Sequence, residues 1–311
     1  KVCGSIGSIA VGERIHEEAN KQGLLEENVV LGTALLDMYA KCGVLVKARE
    51  VFEKLPRRNV VSWTALIAGY TQHGYGDEAL NCFKRMIDEG LSPNTVTFIS
   101  ILKACSSVAS LKMGEEIHGE VKKKGLLGDM VLGTALVDMY AKCGVLIKAQ
   151  EVFDELPERN VVSWSALVSG YAQHGLGEEA VKYFHRMQAE GVSPNAITFV
   201  SILKACGSIG SLNTGGEIHK EVTKQMLLED NLVLGVALLD MYAKCGVLVK
   251  AQQVLEKICI RNVVSWNALI SGYVQHAQPD EALNSFQRMQ TEGVSPDIVT
   301  LACILKACGS V

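Results

Sequence analysis

Long apolar runs are missing from this sequence, although almost half of its residues are apolar. Hydrophobic residues make up 48% of the 311 residues, but they are interrupted every few positions. A helix that crosses a bilayer needs about 20 consecutive apolar residues. The sequence therefore predicts no membrane-spanning segment and no membrane partner, so its apolar residues must be buried within the protein.

The ten cysteines lack the spacing of a metal site or a disulfide framework. No two of them form a C-x-x-C pair, and most recur about a hundred residues apart in two slots of a repeat. One slot holds Cys3, Cys105, Cys206 and Cys308, and the other holds Cys42, Cys143 and Cys245. This pattern favours small thiols buried in helix packing and a reducing compartment. We expect no metal and no cofactor.

An excess of positive charge is also missing. The chain has 30 lysines and arginines against 34 aspartates and glutamates, a formal net charge of −4 at pH 7. A protein that binds nucleic acid usually has a basic surface. Nucleic-acid binding would therefore require a local, lysine-lined groove in a chain that is acidic as a whole.

What the sequence does contain is one long passage in three copies. VVSWTALIAGYTQHGYGDEAL begins at Val60, VVSWSALVSGYAQHGLGEEAV at Val161 and VVSWNALISGYVQHAQPDEAL at Val263. The spacings of 101 and 102 residues are too long for one supersecondary unit, so each period must contain several shorter repeats. Stacked repeats form a long surface rather than one enclosed pocket, which favours binding over catalysis.

Each period divides into three units that read as a helix, a tight turn and a second helix. In the unit 60–94, Trp63, Ile67 and Tyr70 have helical spacing, and Gly74 ends that helix. One such hairpin cannot bury its apolar faces alone, whereas stacked hairpins can. The predicted whole units are 29–59, 60–94, 95–129, 130–160, 161–195, 196–231, 232–262 and 263–297, with partial units at 1–28 and 298–311.

Two details of the repeat register lead to further expectations. One residue fewer precedes Met130 than precedes Val29 or Leu232 in their units, and we place that difference in a turn. The chain begins with Lys1-Val2-Cys3-Gly4 and ends just after Lys306-Ala307-Cys308-Gly309, both of which match Lys103-Ala104-Cys105-Ser106 in the middle of a predicted helix. We therefore expect the chain to be a segment of a longer protein.

The three kinds of unit resemble repeats of the pentatricopeptide repeat family, in its plant class with alternating P, L and S repeats. The passage at Val60 looks like a P repeat, TFISILKACSSVASL at Thr97 like an L repeat, and LGTALLDMYAKCGVL at Leu31 like an S repeat. The resemblance covers the whole chain. It implies an all-α fold, a single right-handed superhelical solenoid of stacked helix-turn-helix hairpins from residue 1 to residue 311.

The resemblance also implies a function, the binding of single-stranded RNA with one base per repeat. One residue early in the first helix and the last residue of the unit would read each base. The P-like pairs are Thr64 with Asn94, Ser165 with Asn195 and Asn267 with Asp297, and the S-like pairs are Thr33 with Asn59, Thr134 with Asn160 and Val236 with Asn262. In the family, Thr or Ser with Asn favours adenine and Asn with Asp favours uracil. The expected core sequence is therefore 5′-AANAANNU-3′.

Apolar residues occupy the reading position in the remaining units. Val236 does so in one S-like unit, and Ile99, Val200 and Ala302 do so in the L-like units. An aliphatic side chain cannot form a hydrogen bond with a base edge. The bases opposite these units are therefore left unspecified in the expected sequence.

An aliphatic residue stands three positions before each reading position and could clamp the face of a base. These residues are Val30, Val61, Val96, Val131, Val162, Ile197, Val233, Val264 and Val299. Clamping should contribute less than the ~1–3 kcal/mol per base typical of aromatic stacking. Simple packing of these side chains between repeats is the alternative.

In the S-like units, the reading position shares a helical face with the residues four and eight positions further on. Thr33, Asp37 and Lys41 form one such stripe. The resemblance assigns Lys41, Lys142 and Lys244 to contacts with RNA phosphates. The alternative is an ion pair between each lysine and the aspartate four residues before it, a surface interaction of a few tenths of a kcal/mol.

Two other recurring features are predicted to be structural. Trp63, Trp164 and Trp266 have core spacing rather than the placement of base-stacking residues. The H-x-E triplets at His16, His118 and His219 match half of a zinc deaminase signature, but the P-C-x-x-C half is absent. We therefore expect no catalytic residue, no enzyme activity and no small-molecule substrate.

The family resemblance finally implies a setting for the RNA-binding function. Proteins of this class act in chloroplasts and mitochondria, in RNA editing or RNA processing, and recruit small protein editing cofactors. The rival interpretation is a helical-repeat scaffold that binds such a protein cofactor. The acidic charge and the apolar reading positions of the L-like units favour this rival.

Overall fold

The computed structural model describes residues 6–309, and within that range every regular element is an α-helix. The helices are α1 (Ile6–Lys21), α2 (Leu24–Glu27), α3 (Val29–Lys41), α4 (Leu45–Glu53), α5 (Val60–Gln72), α6 (Gly76–Asp88), α7 (Thr95–Val108), α8 (Leu111–Lys123), α9 (Met130–Lys142), α10 (Leu146–Asp154), α11 (Val161–Gln173), α12 (Gly177–Ala189), α13 (Ala196–Ile209), α14 (Leu212–Lys224), α15 (Leu227–Asp230), α16 (Leu232–Lys244), α17 (Leu248–Lys257), α18 (Val263–Gln275), α19 (Pro279–Thr291) and α20 (Ile298–Cys308). The predicted all-α, helical-repeat class is confirmed. The opening Lys1-Val2-Cys3-Gly4 and the last two residues lie outside the described range.

Contacts divide the chain into two compact units, residues 1–158 and 159–311. In the first unit, α3 packs on α4 and α5, α5 on α6 and α7, and α7 on α8 and α9. In the second unit, α11 packs on α12 and α13, α13 on α14 and α16, and α16 on α17 and α18, while α18 packs on α19 and α20. We call α3, α5, α7, α9, α11, α13, α16, α18 and α20 the first helices, because each opens a hairpin. Each compact unit therefore contains a row of first helices in mutual contact.

An asparagine or aspartate caps the N-terminus of every first helix. The caps are Asn28, Asn59, Asn94, Asp129, Asn160, Asn195, Asn231, Asn262 and Asp297. At α5 the cap is reciprocal, because the backbone N–H of Ser62 donates to Asn59 Oδ1 over 2.9 Å and the backbone N–H of Asn59 donates to Ser62 Oγ over 3.0 Å. A cap of this kind is worth about 1 kcal/mol. The caps thus determine where each first helix begins.

Large aromatic side chains fill the space between hairpins. Trp63, Trp164 and Trp266 are completely buried, so the prediction that they belong to the core is confirmed. The guanidinium of Arg85 lies 5.2 Å from the ring centre of Trp63, and Arg288 lies 5.7 Å from that of Trp266. These contacts remove the tryptophans from any role in base stacking.

The cysteines follow the predicted packing role only in part. Cys105 and Cys206 are buried, and burial raises the pKa of each thiol to about 12. Cys308 occupies the same slot but is exposed, because α20 packs on α18 and α19 and no further described helix follows it. The other slot, at the C-caps of α3, α9 and α16, is only half-buried. The prediction of burial was therefore wrong for Cys308 and too strong for the second slot.

The linkers and helix lengths complete the fold. The linkers before α3 and α16 contain the four-residue helices α2 and α15, whereas the shorter linker before α9 has turns in their place. The one-residue difference before Met130 therefore lies in the linker between α8 and α9, where the longer linkers have a short helix. None of the described helices combines the length and the apolar character needed to cross a membrane.

Candidate nucleic-acid interface

The predicted base-reading residues of the first helices all stand at the fifth position of their helix. Thr33, Thr64, Thr134, Ser165 and Asn267 occupy this position in α3, α5, α9, α11 and α18. The second member of each predicted pair is an N-cap of the following first helix. Reading side chains and capping side chains therefore lie on the rows of first helices, near the helix N-termini.

The nine residues predicted to clamp base faces are all exposed. Each is the second residue of a first helix, and the exposed fraction ranges from 53% at Val299 to 79% at Val30. They are Val30, Val61, Val96, Val131, Val162, Ile197, Val233, Val264 and Val299. Packing between repeats would have buried them, so the structure does not support that alternative. Their exposure leaves the same apolar position of every first helix accessible to solvent.

In the first P-like unit, the predicted reading residue contacts the N3 residue of the capping box of the next first helix. Thr64 Oγ1 donates to the carbonyl of Val60 over 2.7 Å and lies 2.7 Å from Thr97 Oγ1. The backbone N–H of Thr97 donates to Asn94 Oδ1 over 2.9 Å. Since Oδ1 serves as the capping acceptor, the amide nitrogen of Asn94 is the atom left to face outward. This amide is exposed and has no partner among the described residues.

The second P-like unit repeats this arrangement. Ser165 Oγ donates to the carbonyl of Val161 over 2.6 Å and lies 2.7 Å from Thr198 Oγ1. The backbone N–H of Thr198 donates to Asn195 Oδ1 over 3.0 Å. The Ser165 hydroxyl also lies 3.5 Å from Asn195 Oδ1, so the two members of this predicted pair are neighbours.

The third P-like unit joins its two reading residues directly. Asn267 Nδ2 donates to Asp297 Oδ1 over 2.9 Å, and Thr300 Oγ1 donates to Asn267 Oδ1 over 2.6 Å. Hydrogen bonds from the Thr300 backbone N–H and the Asn267 side chain lower the pKa of Asp297. Asp297 is therefore a carboxylate at neutral pH, and its second oxygen can only accept.

The S-like units present their reading residues differently. Thr33 Oγ1 and Thr134 Oγ1 are buried atoms that have no hydrogen-bond partner in the described part of the chain. A buried hydroxyl without a partner costs free energy, which a ligand atom could recover. Thr134 belongs to the first compact unit and its predicted partner Asn160 to the second. The third S-like unit has Val236 at this position and offers no hydrogen bond.

The three predicted phosphate-contacting lysines are all paired with aspartates of their own helix. The Lys41–Asp37 ion pair measures 2.5 Å, Lys142–Asp138 2.8 Å and Lys244–Asp240 2.7 Å. The ion-pair alternative is therefore observed in each S-like unit, with both side chains partly exposed. A phosphate would have to share the lysine with the aspartate, and each pair adds no net charge to the surface.

The second compact unit contains an open groove of about 610 Å³ that brings predicted site residues of four successive units together. Its walls include the reading positions Val200, Val236 and Asn267, the caps Asn262 and Asp297, and the clamps Val233, Val264 and Val299. Lys204 and Asp240 also line it. The groove is mainly apolar, and Asn267 is among its hydrogen-bonding groups.

Lys103, Lys204 and Lys306 were not among the predicted site residues. Each stands four residues after the reading position of an L-like unit, and all three are exposed. The signal was present in the sequence, because the tripeptide Leu-Lys-Ala recurs in the same slot of the units 95–129, 196–231 and 298–311. A lysine one helical turn past the reader shares its face of the helix.

The three H-x-E histidines have structural partners. The Nδ1 atoms of His118 and His219 lie 2.9 Å from the hydroxyl oxygens of Tyr140 and Tyr242, and that of His16 lies 3.1 Å from the Tyr39 hydroxyl. Each bond joins the second helix of one hairpin to the first helix of the next. These histidines therefore act in hairpin stacking.

Comparison with known proteins identifies the repeats. The PPR repeat family matches residues 58–107, 159–208 and 261–310, and the PPR repeat matches residues 33–60 and 134–161. A chloroplastic pentatricopeptide repeat-containing protein of Arabidopsis thaliana is 39% identical over the whole chain, which covers 50% of that protein. A putative mitochondrial one is 41% identical over 96% of the chain and 47% of its own length. The chain thus spans about half the length of these relatives.

The fold has a close counterpart among solved structures. The crystal structure of the pentatricopeptide repeat protein PPR10 in complex with an 18-nt psaJ RNA element matches 98% of this chain and 46% of that one, with a TM-score of 0.83 and 20% sequence identity. The same protein from maize, in a further crystal structure, matches with a TM-score of 0.75. Repeat sequence and helical-repeat fold agree, and the chain belongs to the PPR repeat family.

Proposed function

We propose that this protein binds single-stranded RNA with one base per repeat and without catalysing a reaction. The observation that carries the proposal is the set of nine exposed β-branched residues, each three positions before a reading position. Aliphatic side chains from neighbouring repeats would clamp the two faces of a base. The reading residue and the capping residue would then meet its edge, as unstacked bases are recognised in RNA-binding repeats.

The capping bonds supply a physical basis for base preference. Asn94 uses Oδ1 to cap α7, so its amide hydrogens remain to donate to a base. Asp297 caps α20 in the same way, and its second oxygen can only accept. A donor suits N1 of adenine, whereas an acceptor suits the N3–H group of uracil. This agrees with the expected core 5′-AANAANNU-3′.

The relatives support a setting for this activity. Two of them are named as chloroplastic or mitochondrial proteins, and PPR10 was crystallised with an RNA element. We place this protein in one of these organelles. It would serve as the RNA-recognition segment of an RNA-editing or RNA-processing factor of the class with alternating P, L and S repeats.

The substitution Asn94→Asp tests the one-repeat, one-base register. It replaces the amide nitrogen that faces the base, a donor, by a carboxylate oxygen, an acceptor. The N-cap is kept, because Asp is as good an N-cap as Asn. Guanine offers N1–H and an amino group where adenine offers an acceptor. Competition titrations with eight-nucleotide strands should therefore show the preference at the second base moving from adenine to guanine. A change at several bases, or at none, would contradict the register.

The control for this experiment is Asn231→Asp. Asn231 caps α16 by accepting from the backbone N–H of Leu234 over 3.0 Å, and it ends an L-like unit whose base is unspecified. The substitution adds the same charge at an equivalent cap. It should leave all base preferences unchanged, which separates readout at Asn94 from a general effect of negative charge.

A protein-binding scaffold is the second candidate function, because one set of exposed apolar residues lies away from the first helices. Val46, Ile147 and Val249 are the second residues of α4, α10 and α17, and they are 71–75% exposed. Such a recurring position suits a protein partner, for example a small editing cofactor. Replacing the three residues by Ser should abolish binding of that partner and leave RNA binding unchanged. If the chain binds no RNA at any salt concentration, the scaffold is the remaining function.

A further inference from the structure

Lys103 and Lys204 occupy equivalent positions in two L-like units. Each is the ninth residue of its first helix, α7 or α13, and follows the apolar reading residue Ile99 or Val200 by four positions. Four residues advance a helix by about 6 Å and return to the same face. Both lysines are exposed, and within residues 6–309 neither forms an ion pair.

The other two kinds of unit contribute no unbalanced positive charge at this level of the surface. In the S-like units the ninth residue is an aspartate, which pairs with the lysine at the end of the same helix. In the P-like units the ninth residue is Ala68, Ser169 or Ser271. The L-like units thus place positive charge where the units on either side are neutral, in a chain whose net charge is −4.

The groove of the second compact unit shows what such a lysine faces. Lys204 lines this groove together with Val233, Val236 and Asn267. The lysine therefore belongs to the same concave surface as a predicted clamp and a predicted reader. An ammonium group on a flexible stem has three donors and binds phosphate oxygens as a point charge.

We propose that Lys103 and Lys204 each bind a phosphate of the RNA, so that the L-like units hold the backbone instead of reading a base. The proposal rests on the proposed RNA-binding function and deepens it. Ile99 and Val200 cannot form hydrogen bonds with a base edge. The lysine one helical turn away provides each of these units with a group that binds phosphate instead. A phosphate contact positions a strand without adding sequence information.

The test is the salt dependence of RNA binding by the double variant Lys103→Gln, Lys204→Gln. The probe is a fluorescently labelled strand containing 5′-AANAANNU-3′. Each phosphate contact on a single strand contributes about −0.7 to the slope of log affinity against log salt concentration. Loss of two contacts should reduce the slope by about 1.4, so that a rise from about 50 mM to about 200 mM salt weakens the variant roughly sevenfold less than the wild type. The order of base preference should not change.

The matched control is Lys112→Gln, Lys220→Gln. These lysines are exposed, lie on the second helices α8 and α14, and likewise have no ion pair within the described range. The control removes the same total charge but should keep the wild-type slope. Equal slopes for the two double variants would overturn the proposal, because net charge alone would then explain the effect.

A second double variant separates the effect of the positive charge from that of the lysine side chain itself. Lys103→Arg, Lys204→Arg keeps a phosphate-binding cation and should restore most of the slope. Since all four positions are exposed, circular dichroism should show unchanged helix content in every variant. Failure of the wild-type chain to bind the strand would instead refute the proposed function. Binding with an unchanged slope in the Gln variant would refute only the role of the two lysines.

Discussion

The side-chain oxygens of Thr64 and Thr97 lie 2.7 Å apart, although the two residues belong to different hairpins. Thr97 is also the N3 residue of the capping box of α7, whose N-cap is Asn94. The contact therefore connects the two predicted readers of one base through a buried threonine. The stacking of two repeats, and not either repeat alone, determines the geometry of the reading pair.

The substitution Thr97→Val should weaken both the cap and the reader. It removes the hydroxyl that contacts Thr64 and the acceptor for the backbone N–H of Asn94, so we expect a loss of roughly 1–2 kcal/mol in the free energy of unfolding. Discrimination between adenine and guanine at the second base should also fall. Urea denaturation and competition titration measure the two effects.

The control is Thr71→Val in the same pair of helices. Thr71 Oγ1 donates to the carbonyl of Ile67 over 2.9 Å and lies 3.2 Å from the carbonyl of Ser100, at the other end of α5. Its loss should destabilise the chain without altering base preference. Equal loss of discrimination in the two variants would show that Thr97 acts only through stability.

Removing the ion pairs of the S-like units should tighten RNA binding. Replacing Asp37, Asp138 and Asp240 by Asn removes the partners of the three lysines, which lie 2.5–2.8 Å away. RNA affinity should rise, and the salt slope should steepen by about 0.7 for each lysine that reaches a phosphate. The triple change Lys41, Lys142 and Lys244 to Gln should flatten it. An unchanged slope in that variant would remove the predicted phosphate role of these lysines.

Helical class could be predicted because the pattern occurs three times over. The spacing of Trp63, Ile67 and Tyr70 recurs at the other two tryptophans, so local propensity and burial agree at every copy. The asparagines before Val60 and Thr95 also have a visible local reason, since an Asn followed three residues later by Ser or Thr forms a capping box. Both signals involve neighbours within one helix.

The rest of the site depends on contacts that sequence spacing leaves open. Lys41 and Asp37 can pair at i,i+4, but the same spacing also permits a free lysine. The contact from Thr64 to Thr97 spans 33 residues, and it exists only because α5 packs on α7. The apolar character of Val30 was visible, whereas its 79% exposure follows from its place in the first turn of a helix at the surface.

The histidine–tyrosine bonds predict a loss of stability in mild acid. Burial lowers the pKa of His118 and of His219, so the native state favours the neutral imidazole. Burial also raises the pKa of Tyr140 to about 12, which keeps its hydroxyl protonated and able to donate. As pH falls below about 6.5, the unfolded chain takes up protons before the native state does. The free energy of unfolding should therefore fall as pH falls through about 6.5, and should become level roughly one pH unit above it.

The variant His118→Gln, His219→Gln should reduce this pH dependence. Urea denaturation at about pH 7.5 and about pH 5.5 would give the change in unfolding free energy for each protein. His185→Gln is the control, because the His185 side chain is exposed and, within residues 6–309, contacts no tyrosine hydroxyl. An equal pH response in wild type and double variant would show that other groups cause the acid sensitivity.

The turn after α18 contains a residue whose replacement should make the fold more stable. Ala277 has a φ of 53°, in the left-handed region, whereas the two other P-like units have Gly74 and Gly175 there, with φ of 80° and 76°. A left-handed conformation costs an L-residue about 1–2 kcal/mol relative to the right-handed one, a cost that glycine avoids. Ala277→Gly should therefore raise the free energy of unfolding by up to about 1 kcal/mol, after the larger entropy of glycine in the unfolded chain is offset.

Gly175→Ala should lower the free energy of unfolding by a similar amount through backbone strain alone, since an added Cβ meets no atom within 4 Å. Urea denaturation measures both, and opposite signs are required: a loss of stability in Ala277→Gly would show that the turn of the third P-like unit tolerates alanine without strain.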